Sequence, residues 1–311
     1  MKKIAVMGAN AARQKTLVFE QLRPGEVNRA ISMSEIPSGK GINFCRAVRN
    51  WNRADAVVVQ FAGGDNGRYL VDALSKETLN AVTIPSRAPL RCCMTCIDRT
   101  NHTTTELIEP SGAADAAECD AFAAAFSEEL AHCDGAAICG TLPGNTDPAL
   151  YLRIAEMVAS QKKPLLLDAF KNVEKLLSLP GIILKINREE LTAFTRCPQV
   201  STGIKYCFQH YPALRAVAIT DGPDTAWASD GNTLFKFEIP TLPEVVNPIG
   251  CGDTASAVLL SELLNGTTLA EAFKSALGAA SSNAESAIPA QFDAARGAEL
   301  AGKIKVTSEA L

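Results

Sequence analysis

No run of apolar residues in this chain approaches the ~20 needed to cross a bilayer, so a membrane-spanning protein is not expected. Charge of one sign is not in excess either. Thirty Lys and Arg stand against 34 Asp and Glu, a net charge of −4, which argues against a nucleic-acid-binding surface. Histidine is scarce: His102, His132 and His210 are the only three, and none lies in a motif that could carry chemistry. The single CxxC at Cys93–Cys96 has no second CxxC and no nearby His pair at zinc spacing, so a structural zinc is not expected. Low-complexity segments, internal repeats and long polar linkers are all missing. Residues 1–311 are therefore read as one domain. No GxGxxG follows the first strand, which disfavours a nicotinamide oxidoreductase on a doubly wound sheet.

Ten cysteines are present, but they are scattered and several sit in apolar runs, such as Cys139 in Ala136–Gly140. In a chain of this length they read as buried, reduced thiols. The opening Met1–Gly8 has a basic start and a short apolar stretch. It reads as a first strand ending in a turn rather than a signal peptide, and a cytoplasmic protein is expected.

Short apolar runs alternate with helix-periodic ones. Lys2–Met7, Ala56–Phe61, Gly135–Cys139, Pro164–Leu167, Ile182–Ile186 and Ala216–Thr220 read as buried strands. Helical patterns cover Ile42–Trp51, Arg68–Lys76, Ala116–Ala131, Pro148–Gln161, Val173–Leu179, Arg188–Thr195, Thr254–Leu264, Leu269–Ala287 and Phe292–Leu300. The alternation predicts an α/β fold, a mainly parallel sheet with helices on both faces and ligands at the strand C-terminal edge. Thr16–Ile36 and Leu90–Glu109 break the rhythm. They are expected to form a small β lid from about residues 10–40 and 88–110.

The densest chemistry lies in Asn247-Pro248-Ile249-Gly250-Cys251-Gly252-Asp253-Thr254, a small-residue turn running into an apolar helix. Helix starts have N–H groups without intrahelical partners and a positive dipole end, so they attract anions. An aspartate there can take the proton of a hydroxyl attacking a phosphate, or it can simply cap the helix. Ser38-Gly39-Lys40-Gly41-Ile42-Asn43 is a second glycine turn at a helix start. It is not a P-loop, because the leading glycine and the trailing Ser or Thr are missing. Lys40 there is either a phosphate or hydroxyl ligand or a solvent lysine. In Lys185-Ile186-Asn187-Arg188-Glu189-Glu190, Asn187 and Glu190 have capping-box spacing, a complete structural explanation. They could instead organise a hydrated Mg²⁺, which prefers oxygen ligands and keeps water. Thr220-Asp221-Gly222 and Gly140-Thr141-Leu142-Pro143 are strand exits at the same edge.

Taken together with Pro24–Arg29 and Gly63–Gly67, these pieces occur in the order seen in the ribokinase-like sugar kinases, the phosphofructokinase-B family, over about residues 4–300. The chain resembles most the phosphosugar branch containing 1-phosphofructokinase and tagatose-6-phosphate kinase. The resemblance implies a three-layer ribokinase-like fold and an ATP- and Mg²⁺-dependent kinase of a sugar or sugar phosphate. It implies Asp253 as general base and Gly250, Cys251 and Gly252 as the anion hole. Asn187 and Glu190 would lie near the Mg²⁺ and triphosphate, Glu190 acting through water, with Lys185 on the strand that feeds them. Thr220, Gly222 and Asn283 match the nucleotide side. Gly39, Lys40, Asn43, Arg91, Gly140 and position 14 match the acceptor side. In several members the lid also makes a dimer contact, so a homodimer through it is a further expectation.

Three positions depart from that pattern. Gln14 stands where an aspartate accepts hydrogen bonds from sugar hydroxyls, Ser38 replaces a glycine, and Thr95 stands where a second basic residue often follows Arg91. All three lie in the acceptor half. Two alternatives to a sugar-phosphate kinase follow: a kinase of an unphosphorylated sugar or nucleoside, and a non-catalytic sugar-phosphate sensor on the same fold.

Overall fold

A computed structural model describes residues 1–311. The N-terminal part runs β1 (Lys2–Met7), β2 (Ala12–Phe19), β3 (Ser32–Ser38), α1 (Lys40–Trp51), β4 (Ala54–Ala62), α2 (Gly64–Lys76) and β5 (Asn80–Pro85). Then come β6 (Cys92–Asp98), β7 (Thr103–Ile108), α3 (Ala116–Ala131), β8 (Gly135–Cys139), α4 (Ala149–Ser160), β9 (Leu165–Asp168), α5 (Glu174–Leu177) and β10 (Ile182–Asn187). The rest is α6 (Arg188–Thr195), α7 (Val200–His210), β11 (Ala216–Asp221), β12 (Thr225–Ser229), β13 (Thr233–Glu238), α8 (Cys251–Leu264), α9 (Leu269–Ala284), α10 (Ala294–Lys303) and β14 (Lys305–Ala310).

Ten strands form one sheet in the order β14-β13-β12-β11-β10-β9-β8-β1-β4-β5. From β5 to β11 every pairing is parallel, and β12, β13 and β14 add antiparallel strands at one edge. Central strands such as β8 and β9 are buried at every residue. That is why they read as unbroken apolar runs rather than as alternating ones. Ile4 and Val6 face a core shared with α1, α8 and α9, whereas Ala5 and Met7 face a second core shared with α3 to α7. The sheet is thus the middle of three layers, the expected α/β arrangement. β1 lies between β4 and β8, so the chain winds outward in both directions from it. The crevice beyond the C-terminal ends of β1 and β8 is the topological switch point, where open α/β sheets bind ligands.

A separate four-stranded sheet runs β3-β2-β6-β7, with β2 and β6 parallel at its centre. It falls within the two predicted segments. All six residues of β7 are exposed, and Leu107 and Ile108 are 49% and 59% exposed.

β5, α7 and the β12–β14 edge are additional to the elements expected from the sequence. β14 is polar and mostly exposed, so no apolar pattern announces it. The β12–β13 hairpin turns through Asp230-Gly231-Asn232, a turn signal between two short runs. The last long helix starts at Ala294, because Asp293 caps it by accepting from the N–H groups of Ala295 and Arg296. All ten cysteines are free, and all three histidines are exposed. No helix is long and apolar enough to cross a membrane.

Candidate active site

The turn before α8 is braced from several sides. Asn247 Oδ1 accepts from Ile249 N–H at 3.0 Å, and Asn247 Nδ2 donates to the Ala287 carbonyl at 3.1 Å. Gly250 occupies the N-cap position at φ +83°, and a Cβ there would stand 2.8 Å from the Ala290 nitrogen. Both the left-handed backbone and the close approach require glycine. No side chain caps the helix, and the N–H groups of Gly252 and Asp253 have no acceptor in the chain. Two orphan donors at a positive dipole end make an anion cradle.

Asp253 is in the first turn of α8 and is not its cap. The cap reading of this residue is therefore set aside. The side chain turns instead to α1, where Asn43 Nδ2 donates to Asp253 Oδ2 at 2.7 Å. α8 is buried on all sides from Asp253 to Glu262, packed between α1, α9 and the sheet. Val258, Leu259 and Leu260 are fully buried, at about 1.5–3 kcal/mol each, so the helix start cannot drift. Asp253 makes no ion pair. Burial raises its pKa first, and the nearby Asp168 carboxylate raises it further, against the opposing pull of Lys40, the Asn43 hydrogen bond and Lys185.

Asp168 is the residue that motif reasoning missed. It ends β9, and its carboxylate is buried at the centre of a polar cluster. Lys40 Nζ donates to Oδ1 at 2.7 Å, Ser256 Oγ donates to Oδ2 at 2.6 Å, and Lys185 Nζ lies 3.7 Å from Oδ2. Burial works against the charge, but Lys185, Lys40 and the hydrogen bonds outweigh it and hold the Asp168 pKa down at about 2. The available signal was an acid ending the apolar run Leu165-Leu166-Leu167-Asp168, at the sheet edge that carries function. Lys185 also donates to the Gly252 carbonyl at 3.0 Å, which ties β10 to the start of α8. Burial opposes the charge on Lys40, but Asp168 and Asp253 prevail and raise its pKa.

Two cavities flank this cluster. One, about 420 Å³, is lined mostly by polar residues and opens at the switch point, with Gly8, Asn10, Lys40, Arg91, Gly140 and Glu190 on its walls. The other, about 410 Å³, is mainly apolar, with Thr220, Gly222, Cys251, Gly252, Leu277 and Ala280 on its walls. The start of α8 therefore borders the apolar cavity, while Lys40 and Asp168, beside Asp253, border the polar one. A flat aromatic ligand suits the first and a hydroxyl-rich one the second.

Asn187 and Glu190 do form the capping box: Asn187 Oδ1 accepts from Glu190 N–H at 2.8 Å and Glu190 Oε2 from Asn187 N–H at 2.9 Å. That uses one Glu190 oxygen and leaves the other beside the polar cavity, which Asp168 also lines. Lys40, Ser256 and Lys185 occupy both Asp168 oxygens, so the second Glu190 oxygen is the carboxylate donor open to the cleft, which fits Mg²⁺ bound through water and phosphate.

Arg91 Nη2 donates to the Asn10 carbonyl at 3.1 Å, while its Nε is buried without a partner. It has no carboxylate, unlike Arg13, Arg46, Arg188 and Arg296. Gln14 and Thr95 touch: Gln14 Nε2 donates to Thr95 Oγ1 at 2.8 Å across β2 and β6. Two of the departures in the acceptor half are thus one contact. Gly39 precedes α1 at φ +128°. Asn283 lines neither cavity. It is fully buried, donating to Ile249 O and Cys251 Sγ and accepting from Ala290 N–H, so it braces the Gly250 turn. Burial pushes the Cys251 thiol pKa up, which leaves it protonated.

The sequence profile of the pfkB family carbohydrate kinases matches residues 1–290. Among solved structures, phosphofructokinase-2 from Escherichia coli in complex with potassium superposes with a TM-score of 0.87 at 18% identity, covering 97% of this chain and 99% of that one. The same enzyme in complex with fructose-6-phosphate gives 0.85 at 18% identity, with 97% and 99% covered. A Thermotoga maritima protein described as a "possible 1-phosphofructokinase" gives 0.85 at 15% identity, covering 99% of each chain. At such identities these likenesses establish a shared ribokinase-like fold.

Proposed function

Because the chain belongs to the pfkB family of carbohydrate kinases, and is an ATP-dependent sugar kinase, we propose that it phosphorylates a hydroxyl of a sugar phosphate, in the manner of a 1-phosphofructokinase or a tagatose-6-phosphate kinase. The observation that carries this reading is Asp253. It is a buried carboxylate with no ion-pair partner, aimed by Asn43 and set at a helix start with orphan N–H donors.

ATP would lay its base in the apolar cavity beside Thr220 and Gly222 and its phosphates toward Gly250–Asp253. The acceptor would occupy the polar cavity, its phosphate paired with Arg91 and Lys40. Asp253 takes the proton of the attacking hydroxyl, general-base catalysis worth about 10²–10⁴-fold. The N–H groups of Gly252 and Asp253 meet charge on the transferred phosphoryl. Mg²⁺, held by Glu190 through water, would neutralise charge on the phosphate oxygens when bound. Lys185 holds Asp168 and the Gly252 carbonyl in place throughout. The whole chain acts as one catalytic domain in the cytoplasm, and two lids would pair through their exposed apolar residues.

Arg91 favours a phosphorylated acceptor, because a guanidinium with a buried free N–H matches a phosphate oxygen. One observation favours the second reading, an unphosphorylated sugar. The Gln14–Thr95 contact is neutral at the positions where the resembled branch carries an acid and a base. ADP release from ATP and Mg²⁺ separates the two, using fructose 1-phosphate, fructose 6-phosphate and tagatose 6-phosphate against fructose, ribose and adenosine. Turnover confined to the phosphorylated set supports the proposal, and turnover confined to the free compounds overturns it. ATP binding without turnover on any acceptor would point to a sensor.

A further inference from the structure

Arg46 is the largest fully buried side chain in the protein, and the reaction as described makes no use of it. A buried guanidinium is costly unless all its donors are matched. Here its N–H groups meet five acceptors. Nε and Nη2 meet Glu77 at 2.9 and 3.1 Å, and Nη2 also meets the Pro37 carbonyl at 2.9 Å. Nη1 meets Asn43 Oδ1 at 3.0 Å and the Pro289 carbonyl at 3.2 Å.

The Asn43 contact has a directional consequence. Arginine has donors and no acceptor, so the Asn43 atom facing it must be the amide oxygen. The amide nitrogen is then forced to the opposite side, where Asp253 Oδ2 stands 2.7 Å away. The ionised carboxylate selects the same end of the amide, and Arg46 holds that end in place when Asp253 takes up a proton and could itself donate. The other contacts reach further parts of the same machinery. Pro37 belongs to lid strand β3, and Pro289 adjoins Ala290, against which Gly250 packs.

We infer that Arg46 is a positioning residue for phosphoryl transfer: by orienting the Asn43 amide it keeps a donor on Asp253, and through Pro37 and Pro289 it ties that donor to the lid and to the anion-hole turn. The inference rests on Asp253 being the base. Arg46 touches no substrate and acts through Asn43. A donor to the ionised carboxylate lowers its pKa, so losing the donor raises it.

The test is a double-mutant cycle between Arg46→Lys and Asn43→Ala, read as kcat against pH. Arg46→Lys is expected to lower kcat by about 10- to 100-fold, with the KM of ATP and acceptor little changed. It should also move the acid limb of kcat to higher pH. In the Asn43→Ala background, adding Arg46→Lys is expected to change kcat by less than about twofold and leave the limb in place. Effects that multiply independently, or a lowered Tm with kcat and the limb unmoved, would overturn the inference and reduce Arg46 to a structural ion pair. Should Arg46→Lys not fold, Arg46→Gln with Glu77→Gln buries no unpaired charge and is read in the same way. Asp253→Asn is assayed alongside. Full turnover there removes the kinase mechanism itself, whereas an essential Asp253 with independent Arg46 and Asn43 effects removes only the role of Arg46.

Discussion

Asp168 and Asp253 lie in the field of the same two ammoniums, those of Lys40 and Lys185, and their pKa values move in opposite directions. Asp168 receives Lys40, Ser256 and the nearby Lys185 and is held at about 2. Asp253 receives only the neutral Asn43 amide, and burial with the repulsion of Asp168 raises it. Two carboxylates pushed apart by their surroundings suit different tasks, and the proposed mechanism keeps Asp168 as a charge and gives Asp253 the proton.

The first consequence is a pH profile. Asp253 accepts a proton only when ionised, so kcat falls as pH drops through its raised pKa. The acid limb is expected above the ordinary aspartate value of about 3.9. Stopped-time ADP assays over an acid-to-neutral pH series would measure it, and a limb at or below that value would contradict the assignment.

Asp168 also ties acid stability to the site. Its folded pKa is depressed to about 2, so its contribution is complete above the unfolded value of about 3.9 and is lost as pH falls through about 2. Asp168→Asn leaves Lys185, whose side chain is 4% exposed, without its counter-charge. Urea unfolding at neutral pH is expected to show a loss of about 3 kcal/mol, in the range for breaking a buried pair. The same loss should shrink between pH 4 and 2 in acid titrations of the two proteins, both limits being approximate. An unchanged midpoint at neutral pH would show that the cluster contributes nothing.

The Gln14–Thr95 contact predicts a specificity change. Gln14→Asp with Thr95→Lys restores an acid and a base at adjacent places on the lid. If that pair reads the acceptor, kcat/KM for fructose 1-phosphate or tagatose 6-phosphate should rise by roughly tenfold or more, the scale of a hydrogen bond to a charged group. An identical substrate profile in the double variant would mean that the contact only holds β2 to β6.

Exposed apolar residues on the lid predict self-association. Met33, Leu107 and Ile108 are each about half exposed or more, on the edge strands β3 and β7. Sedimentation of the unaltered protein should give a dimer, and Leu107→Glu with Ile108→Glu should give a monomer. A monomer in both cases would remove the lid contact.

Much of the layout was legible in the chain. Strands β8, β9 and β10 are buried on both faces, and continuous apolar runs such as Gly135–Cys139 marked them within a residue or so. The Asn187–Glu190 capping box was readable because it is local, two residues three positions apart satisfying each other. The contacts that define the site are not local. Asn43 meets Asp253 across 210 residues, and Lys40 meets Asp168 across 128. No spacing rule reaches that far, so the order of motifs had to stand in for it. Asp168 went unnoticed because one acid after three leucines has no motif of its own. Asn283 was expected beside the nucleotide, but its amide is fully used by the Gly250 turn, a use that only its neighbours in space reveal.

Asp253→Asn tests the central claim most directly, with kcat, ATP affinity and Tm measured on one preparation. The neutral amide keeps the shape of the site and relieves a buried carboxylate whose ionised form is penalised, so Tm should stay level or rise by about 2 °C. ATP affinity should stay within about threefold, and kcat should fall by about 10²-fold or more. Turnover near that of the unaltered protein would contradict the account.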